Sequence, residues 1–229
     1  MEKAPVRRAR RVSDPFRFDR ALLSEASGAG PAGDLRLAGV DEAGRGSLAG
    51  PLVAAAVVLD YSAAPFAPLE GLTDSKQLSP RAREDLFLAV LSVAARVSWV
   101  ATTALSIDER GLQRCNIAAL ACALESLRGE YGLAVVDGFD LRRPELRSRS
   151  LVGADYKSAA VAAASVVAKV TRDRLMRVLA RAYPEYGFDE HVGYGTDRHR
   201  EALRRHGPCA LHRLSFRNVG SLQLGLWDE

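Results

Sequence analysis

The chain has 229 residues, 48% apolar and 26% charged, which is long enough for one globular core and typical of a soluble protein. Its net charge of +4 permits a polyanionic partner. Three cysteines without a Cys-x-x-Cys pair argue against a disulfide framework or a zinc site, and the lack of a long apolar run argues against a membrane span or a secretory signal. We therefore expect a cytoplasmic location.

The first segment, residues 1–34, is basic and rich in small residues. A run of four arginines comes first, and residues 27–33 read SGAGPAG. This composition predicts a flexible tail. The alternative is an arm that holds nucleic acid by electrostatic attraction.

The remaining chain alternates apolar runs with helical patterns. Four runs rich in β-branched and apolar residues predict strands, at 35–41, 51–59, 97–104 and 133–136. Helical spacing and capping residues predict four longer helices, at about 80–95, 116–128, 158–182 and 197–205. Ser106 is predicted to cap a further short helical turn, 142–149 is predicted to be a basic loop, and 191–196 a glycine-rich loop. Because strands come early and helices late, we predict one mixed α/β domain over 35–220.

The first two predicted strands are joined by a glycine-rich turn that partly matches two nucleotide-binding motifs. Gly44–Ala49 fits G-x-G-x-x-[GA], but that motif needs a helix after its glycines, and Pro51 is followed by a β-branched run. Gly39–Gly44 begins like a P-loop, but Arg45 and Gly46 replace the expected Lys-[Ser/Thr]. A nucleotide-binding loop is therefore not predicted here.

Four acidic residues stand at the ends of predicted strands or before the long helix, namely Asp41, Glu42, Asp137 and Asp155. Adjacent residues of a strand point to opposite faces, so Asp41 and Glu42 serve one site only through a twist, a bulge or a shared metal. Grouped carboxylates require cations, and oxygen ligands select Mg²⁺ or Mn²⁺. Two such ions about 4 Å apart support phosphodiester hydrolysis. The alternatives are a helix cap at Asp155 and an ordinary turn at Asp137.

A series of motifs resembles ribonuclease HII, in that family's order and over roughly residues 35–219. The motifs are GVDEAGRGSLAGPLVAAAV, DSKQLS, VVDG, AD-x-K followed by AAASVVAKVTRDRLM, YGFDEHVGYGTDRH and HRLSF. The resemblance implies an RNase H-like fold, a mixed five-stranded sheet flanked by helices with a helical C-terminal region. It also implies a monomer that uses Mg²⁺ or Mn²⁺ to cleave the RNA strand of RNA–DNA hybrids. Duplex DNA with a single embedded ribonucleotide would be nicked 5′ to that ribonucleotide, leaving 3′-hydroxyl and 5′-phosphate ends.

The resemblance also implies roles for particular residues. The metal ligands and catalytic residues would be Asp41, Glu42, Asp137 and Asp155. The loop of Gly44, Arg45 and Gly46 would contact the ribose 2′-hydroxyl through backbone groups, and Tyr194 would pack against the sugar. Four further residues would contact the nucleic-acid backbone, namely Ser75, Lys76, Lys157 and Lys169.

The chain departs from the family pattern at Gly153 and Val192, where family members often have lysine. Both differences remove positive charge from the expected nucleic-acid face. For Lys157 and Lys169 the alternative is a solvated surface role. Two alternatives to the whole assignment are a hybrid-binding protein without catalysis and another RNase H-like nuclease; the four filled acidic positions and the Gly44–Gly46 loop argue against them.

The last nine residues, 221–229, lie beyond the resemblance to the family core. Four of them match a short peptide that binds the bacterial sliding clamp, Q-L-x-L-[F/W], namely Gln223, Leu224, Leu226 and Trp227. A clamp is therefore a predicted partner. The alternative is that these apolar side chains cover the enzyme's own helices.

Overall fold

The computed structural model describes residues 14–26, 34–69, 71–72, 79–217 and 219–220. Within them the helices are α1 (Pro15–Ala26), α2 (Pro80–Val93), α3 (Ala104–Arg110), α4 (Leu112–Glu125), α5 (Ala159–Leu179), α6 (Phe188–His191) and α7 (Asp197–His206). The strands are β1 (Arg36–Ala43), β2 (Leu52–Asp60), β3 (Arg96–Thr102), β4 (Leu133–Asp137) and β5 (Ser148–Leu151). None of the described helices is both long and apolar enough to cross a membrane.

The five strands form one mixed sheet in the order β3-β2-β1-β4-β5. β1 and β2 pair antiparallel, as do β2 and β3, whereas β4 is parallel to β1 and β5 is parallel to β4. This confirms the fold that the family resemblance implied, including the flanking helices and the helical C-terminal region. The parallel pairing brings the carboxyl ends of β1 and β4 to one edge of the sheet.

Helices cover both faces of the sheet, and α5 lies unusually close to it. A methyl group added at Gly39 of β1 would come within 2.0 Å of the carbonyl carbon of Ala160. The first half of α5 is built of alanine, valine and serine, so its backbone can approach the strand closely. This contact fixes the start of α5 relative to β1, and on the opposite face α4 packs against a second apolar cluster.

The prediction of a flexible tail is wrong for residues 15–26, which form α1. Leu22 and Leu23 of this helix are buried in the core. Asp19 is also buried, and its carboxylate accepts hydrogen bonds from the Tyr61 hydroxyl at 2.5 Å and from the Ala160 amide at 3.0 Å. The basic and glycine-rich flanks concealed an amphipathic segment that packs at the start of α5. The flanks themselves, including the arginine run, lie outside the described residues.

Other boundaries also differ from the sequence-based expectations. β5 overlaps the end of the predicted basic loop and extends two residues past it, as a short edge strand whose mostly polar residues give little apolar signal. Thr103, rather than Ser106, caps α3, and α4 begins at Leu112, four residues before the predicted start. Ser79 caps α2 and Thr196 caps α7, since each side chain accepts a hydrogen bond from the first turn of its helix.

Candidate metal centre and adjoining cleft

Three of the four predicted acids come together at the carboxyl edge of the sheet. Val40 of β1 pairs with Val136 of β4, so Asp41 and Asp137 stand level on neighbouring strands. Asp155 lies in the short turn between β5 and α5. Each residue offers one oxygen, and these oxygens lie within 4.8 Å of one another. The structure therefore brings three of the four predicted acidic residues together.

Local hydrogen bonds hold the group in place. Asp137 Oδ1 accepts the Ala154 amide at 2.7 Å, which ties the turn that carries Asp155 to the end of β4. Ser158 caps α5 by accepting the Val161 amide at 3.3 Å. Because the cap is Ser158, the alternative that Asp155 is only a helix cap is not supported.

The electrostatics of the group fit a divalent cation. Burial is the largest of the causes that raise the pKa of Asp41 to about 8; the charges of Glu42 and Asp137 act in the same direction, and a hydrogen bond from Ser165 opposes them. A cation among these carboxylates would remove the repulsion that favours the protonated form. The donor set consists of carboxylate oxygens, which suit Mg²⁺ or Mn²⁺.

A cleft of about 370 Å³ lies beside Asp41, because Ser165 lines the cleft and also hydrogen-bonds to the Asp41 carboxylate. Six of the predicted site residues line it, namely Glu42, Gly44, Arg45, Gly46, Lys169 and Tyr194. Arg83 and Ser165 also line it and were not predicted. Glu42 is thus placed beside the three-carboxylate group rather than within it. A larger pocket, of about 620 Å³ between β3, α3 and α4, contains none of the predicted site residues.

The loop after β1 and the loop that carries Tyr194 are joined by their backbones. Gly44 has a positive φ of 86°, and its carbonyl accepts the Ser47 hydroxyl at 2.7 Å. The Gly193 carbonyl accepts the amides of Leu48 at 2.9 Å and Ala49 at 3.2 Å. A side chain at Gly193 would approach within 2.3 Å of the Ala49 carbonyl oxygen. The two loops therefore form one wall of the cleft.

Arg172 of α5 is fully buried and holds both loops. Its guanidinium donates to four oxygens, which are those of Pro51 at 2.9 Å, Val192 at 2.9 Å, Ala49 at 3.1 Å and the Ser47 hydroxyl at 2.7 Å. Burial lowers the pKa of this guanidinium. Sequence reasoning missed Arg172 because arginines are rarely buried. Its spacing of three residues after Lys169, on the same side of one helix, was the available signal.

Arg213 is a second buried arginine that acts on the same loop. It donates to the Arg45 carbonyl at 2.9 Å and to the Gly50 carbonyl at 3.0 Å. Burial lowers its pKa to about 10, which leaves it cationic at neutral pH. The HRLSF motif thus supplies a residue, Arg213, that holds the Gly44–Gly46 loop by hydrogen bonds to backbone carbonyls.

Tyr194 lies between cationic side chains. Lys169 Nζ and the Arg172 guanidinium carbon each lie 5.2 Å from the centre of its ring. The preceding Val192 has a φ of 44°, which is strained for a β-branched residue, and the Arg172 bond to its carbonyl helps to hold it. This constraint places the tyrosine ring at the cleft.

The other predicted contacts are less central or lie outside the described residues. Lys157 is exposed, donates to the Val152 carbonyl at 3.0 Å, and does not line the cleft. Lys169 pairs with Asp173 at 2.8 Å. Gly153, one of the two departures from the family pattern, has a φ of 65°, a conformation that favours glycine over lysine. The residues that lie outside the described ranges are Ser75, Lys76, Gln223, Leu224, Leu226 and Trp227.

Comparisons with known proteins agree on one family. The family model described as Ribonuclease HII matches residues 38–219. A ribonuclease HII of Rhizobium johnstonii is 46% identical over 195 residues, covering 85% of this chain and 83% of the relative. The crystal structure of ribonuclease H2 from Pyrococcus horikoshii has a TM-score of 0.72 at 32% identity, covering 83% of this chain and 98% of that one. The ribonuclease HII in a complex with PCNA from Archaeoglobus fulgidus has a TM-score of 0.67 at 29% identity, covering 80% of this chain and 96% of that one.

Proposed function

The chain belongs to the ribonuclease HII family and is a ribonuclease H endonuclease, and we propose that it also nicks duplex DNA 5′ to single embedded ribonucleotides. The nick would leave 3′-hydroxyl and 5′-phosphate ends. One observation carries this proposal: the cleft lined by the Gly44–Gly46 loop and Tyr194 shares Ser165 with Asp41, which is one of the three grouped carboxylates. A site that reads one sugar is therefore next to a site suited to hydrolyse one phosphodiester.

The proposed metal ligands are Asp41, Asp137 and Asp155, with Glu42 at the border between the carboxylates and the cleft. When bound, two Mg²⁺ or Mn²⁺ ions would activate a water molecule and stabilise the leaving oxygen. The contribution of the chain is to hold the carboxylates on three different elements with fixed geometry. The Asp137 bond to the turn before α5 supports this arrangement.

We propose that the ribose is recognised by the two joined loops, the one after β1 and the one that carries Tyr194. Only the 2′-hydroxyl distinguishes a ribonucleotide locally, and backbone groups of Gly44, Arg45 and Gly46 would bond to it. The ring of Tyr194 would pack against the same sugar. Arg172 and Arg213 hold these loops by hydrogen bonds to the backbone, so the proposed ribose-binding surface is formed before substrate binds. Lys169 would contact a phosphate at the cleft, and Lys157, Ser75 and Lys76 would contact the strand farther away.

Substitution of Asp155 tests the catalytic part of this proposal. Asp155→Asn should lower kcat on an RNA–DNA hybrid by at least roughly 100-fold, because one anionic ligand is lost. Hybrid binding, measured by fluorescence anisotropy in Ca²⁺, should change by less than about threefold. The matched control is Asp140→Asn, an exposed acid near the same edge, which should retain wild-type kcat. Near-normal cleavage by Asp155→Asn would refute the assigned role.

We also propose that the enzyme is monomeric and cytoplasmic, and that a bacterial sliding clamp is its partner. The clamp proposal is supported by the peptide at Gln223, Leu224, Leu226 and Trp227, together with the PCNA complex of the Archaeoglobus fulgidus relative. Deletion of 221–229 should abolish binding to an immobilised bacterial clamp while hybrid cleavage in solution continues. An Asp228→Ala variant serves as the control that keeps the peptide. Binding that persists after the deletion would refute this partner assignment.

A further inference from the structure

A chain of hydrogen bonds runs through two buried histidines to the backbone of Tyr194. The Cys209 amide donates to His212 Nδ1 at 2.9 Å, and the His212 and His199 Nε2 atoms lie 3.1 Å apart. His199 Nδ1 lies 2.9 Å from the Tyr194 carbonyl oxygen. Both rings are nearly inaccessible to solvent, with exposures of 0% for His199 and 2% for His212.

The groups at the two ends of this hydrogen-bond series, the Cys209 amide and the Tyr194 carbonyl, determine where the protons lie. A backbone amide can only donate, so His212 Nδ1 is an acceptor and the neutral ring carries its proton on Nε2. That proton is donated to His199 Nε2. His199 must then carry its own proton on Nδ1, which donates to the Tyr194 carbonyl, an obligatory acceptor. One neutral tautomer of each ring satisfies all three links, and an added proton on either ring breaks one of them.

We propose that His199 and His212 are positioning residues for Tyr194, acting as a neutral pair with the proton on Nδ1 of His199 and on Nε2 of His212. The pair holds the carbonyl of Tyr194, and thereby its ring, at the mouth of the cleft. This inference rests on the proposed contact between Tyr194 and the ribose. It assigns a function to the histidines of two motifs that the metal site does not use.

The surroundings of the pair favour the neutral forms. Burial is the largest of the causes that lower the pKa of both rings to about 4, and the nearby His191 acts in the same direction on each. His191 stacks on His199 with ring centres 4.4 Å apart, and burial raises the pKa of the Cys209 thiol, whose Sγ lies 3.2 Å from His212 Nδ1. The groups that face the pair are His191, Arg200, Cys209 and Tyr186, and the Glu185 carboxylate acts on the last two. No carboxylate is among the charges that shift the pKa of either ring.

The first test observes the protons directly. The full-length protein labelled with ¹⁵N-histidine is followed by long-range ¹H–¹⁵N spectra from pH 8 to pH 5.5. We expect the Nδ1–H tautomer for His199 and the Nε2–H tautomer for His212, unchanged over this range. Single substitutions assign the signals, and His206→Asn removes the exposed histidine. The opposite tautomer at either ring, or a charged ring at pH 6, would overturn the inference.

The second test asks whether the pair acts through Tyr194. On duplex DNA with one ribonucleotide, His199→Phe should lower kcat/KM roughly tenfold, which corresponds to the loss of one buried hydrogen bond. His199→Asn places an amide donor near the former Nδ1 and should recover most of the loss. In a Tyr194→Ala background, Phe and Asn at position 199 should give equal kcat/KM.

The outcomes separate this inference from the function on which it rests. If His199→Phe still lowers kcat/KM in the Tyr194→Ala background, the positioning role alone would be overturned. Tautomers opposite to those expected would have the same consequence. A Tyr194→Ala variant with unchanged kcat/KM would overturn both the sugar contact and the positioning role.

Discussion

Replacement of Gly39 by alanine should disturb the contact between the sheet and α5. The added methyl carbon would lie 2.0 Å from the carbonyl carbon of Ala160 and 2.2 Å from its oxygen. Both contacts are with backbone, so no side chain can rotate away. Strand and helix would have to separate by roughly 1 Å, and overpacking of this kind costs about 1–3 kcal/mol in the free energy of unfolding.

The same displacement should damage the metal centre. Asp41 follows Gly39 by two residues on β1, and Asp155 precedes Ala160 by five residues at the start of α5. Separation of the strand and the helix therefore moves these carboxylates relative to each other. A misplacement of about 1 Å at a reacting centre can cost roughly 100-fold in rate, which is the loss that we expect in kcat.

Thermal unfolding and hybrid cleavage measure the two effects. We expect Gly39→Ala to lower the Tm by about 2–12 °C, given about 2–4 °C per kcal/mol for a chain of this size. Gly46→Ala is the stability control, because nothing lies within 4 Å of a methyl group there and its Tm should not change. Wild-type Tm and kcat for Gly39→Ala would refute the close contact of α5 with β1 and its role in the site.

Three further predictions concern buried ionisable groups. Arg172→Met should lower the free energy of unfolding by about 3 kcal/mol, because four buried acceptors lose their donor, whereas the exposed Arg174→Met should lose less than about 1 kcal/mol. The folded-state pKa of His199 and His212 is about 4, below the ordinary 6.5, so their contribution to stability should fall as pH drops from 6.5 to 4, by up to about 1.4 kcal/mol per pH unit for each ring. Burial raises the pKa of Asp19 to about 6, so at pH 7 the folded protein carries a buried carboxylate whose charge burial disfavours, and Asp19→Asn should stabilise the protein at that pH by roughly 1–2 kcal/mol.

Urea unfolding at pH 7 and at pH 5 checks all three. Equal losses of unfolding free energy for the two arginine variants would contradict the role of Arg172 in holding the two loops. The histidine effect is measured as the difference between the wild type and His212→Asn, since Asp19 shifts stability with pH in the opposite direction. A wild type and variant with the same pH dependence, or an Asp19→Asn variant that is less stable at pH 7, would contradict the corresponding burial argument.

Acidic site residues could be predicted from the sequence where they stand at the ends of apolar strand patterns. The apolar runs of β1 and β4 end at Asp41 and Asp137, and parallel pairing necessarily brings such ends together. The spacing did not show whether Glu42 joins the group, because that depends on the backbone at the end of β1. The burial of Arg172 and Arg213 was also hidden, since their partners are backbone carbonyls of loops distant in sequence.

The elements that the sequence missed have weak local signals. β5 consists of Ser148–Leu151, a polar edge strand whose backbone pairing with β4 stabilises it without an apolar face. α1 lies between segments of tail-like composition and is stabilised by tertiary contacts at Leu22, Leu23 and Asp19. In both cases tertiary structure decides a conformation that local composition leaves open.

The measurement that tests the central claim most directly is cleavage of duplex DNA that carries one ribonucleotide. The wild-type protein is incubated with 5′-labelled and 3′-labelled substrate in Mg²⁺, in Mn²⁺ and in EDTA, with an all-DNA duplex of the same sequence as control. The account predicts a single metal-dependent nick 5′ to the ribonucleotide, with 3′-hydroxyl and 5′-phosphate ends, and no cut in the all-DNA duplex. Cleavage in EDTA, a nick on the 3′ side, or no nick at all would contradict it.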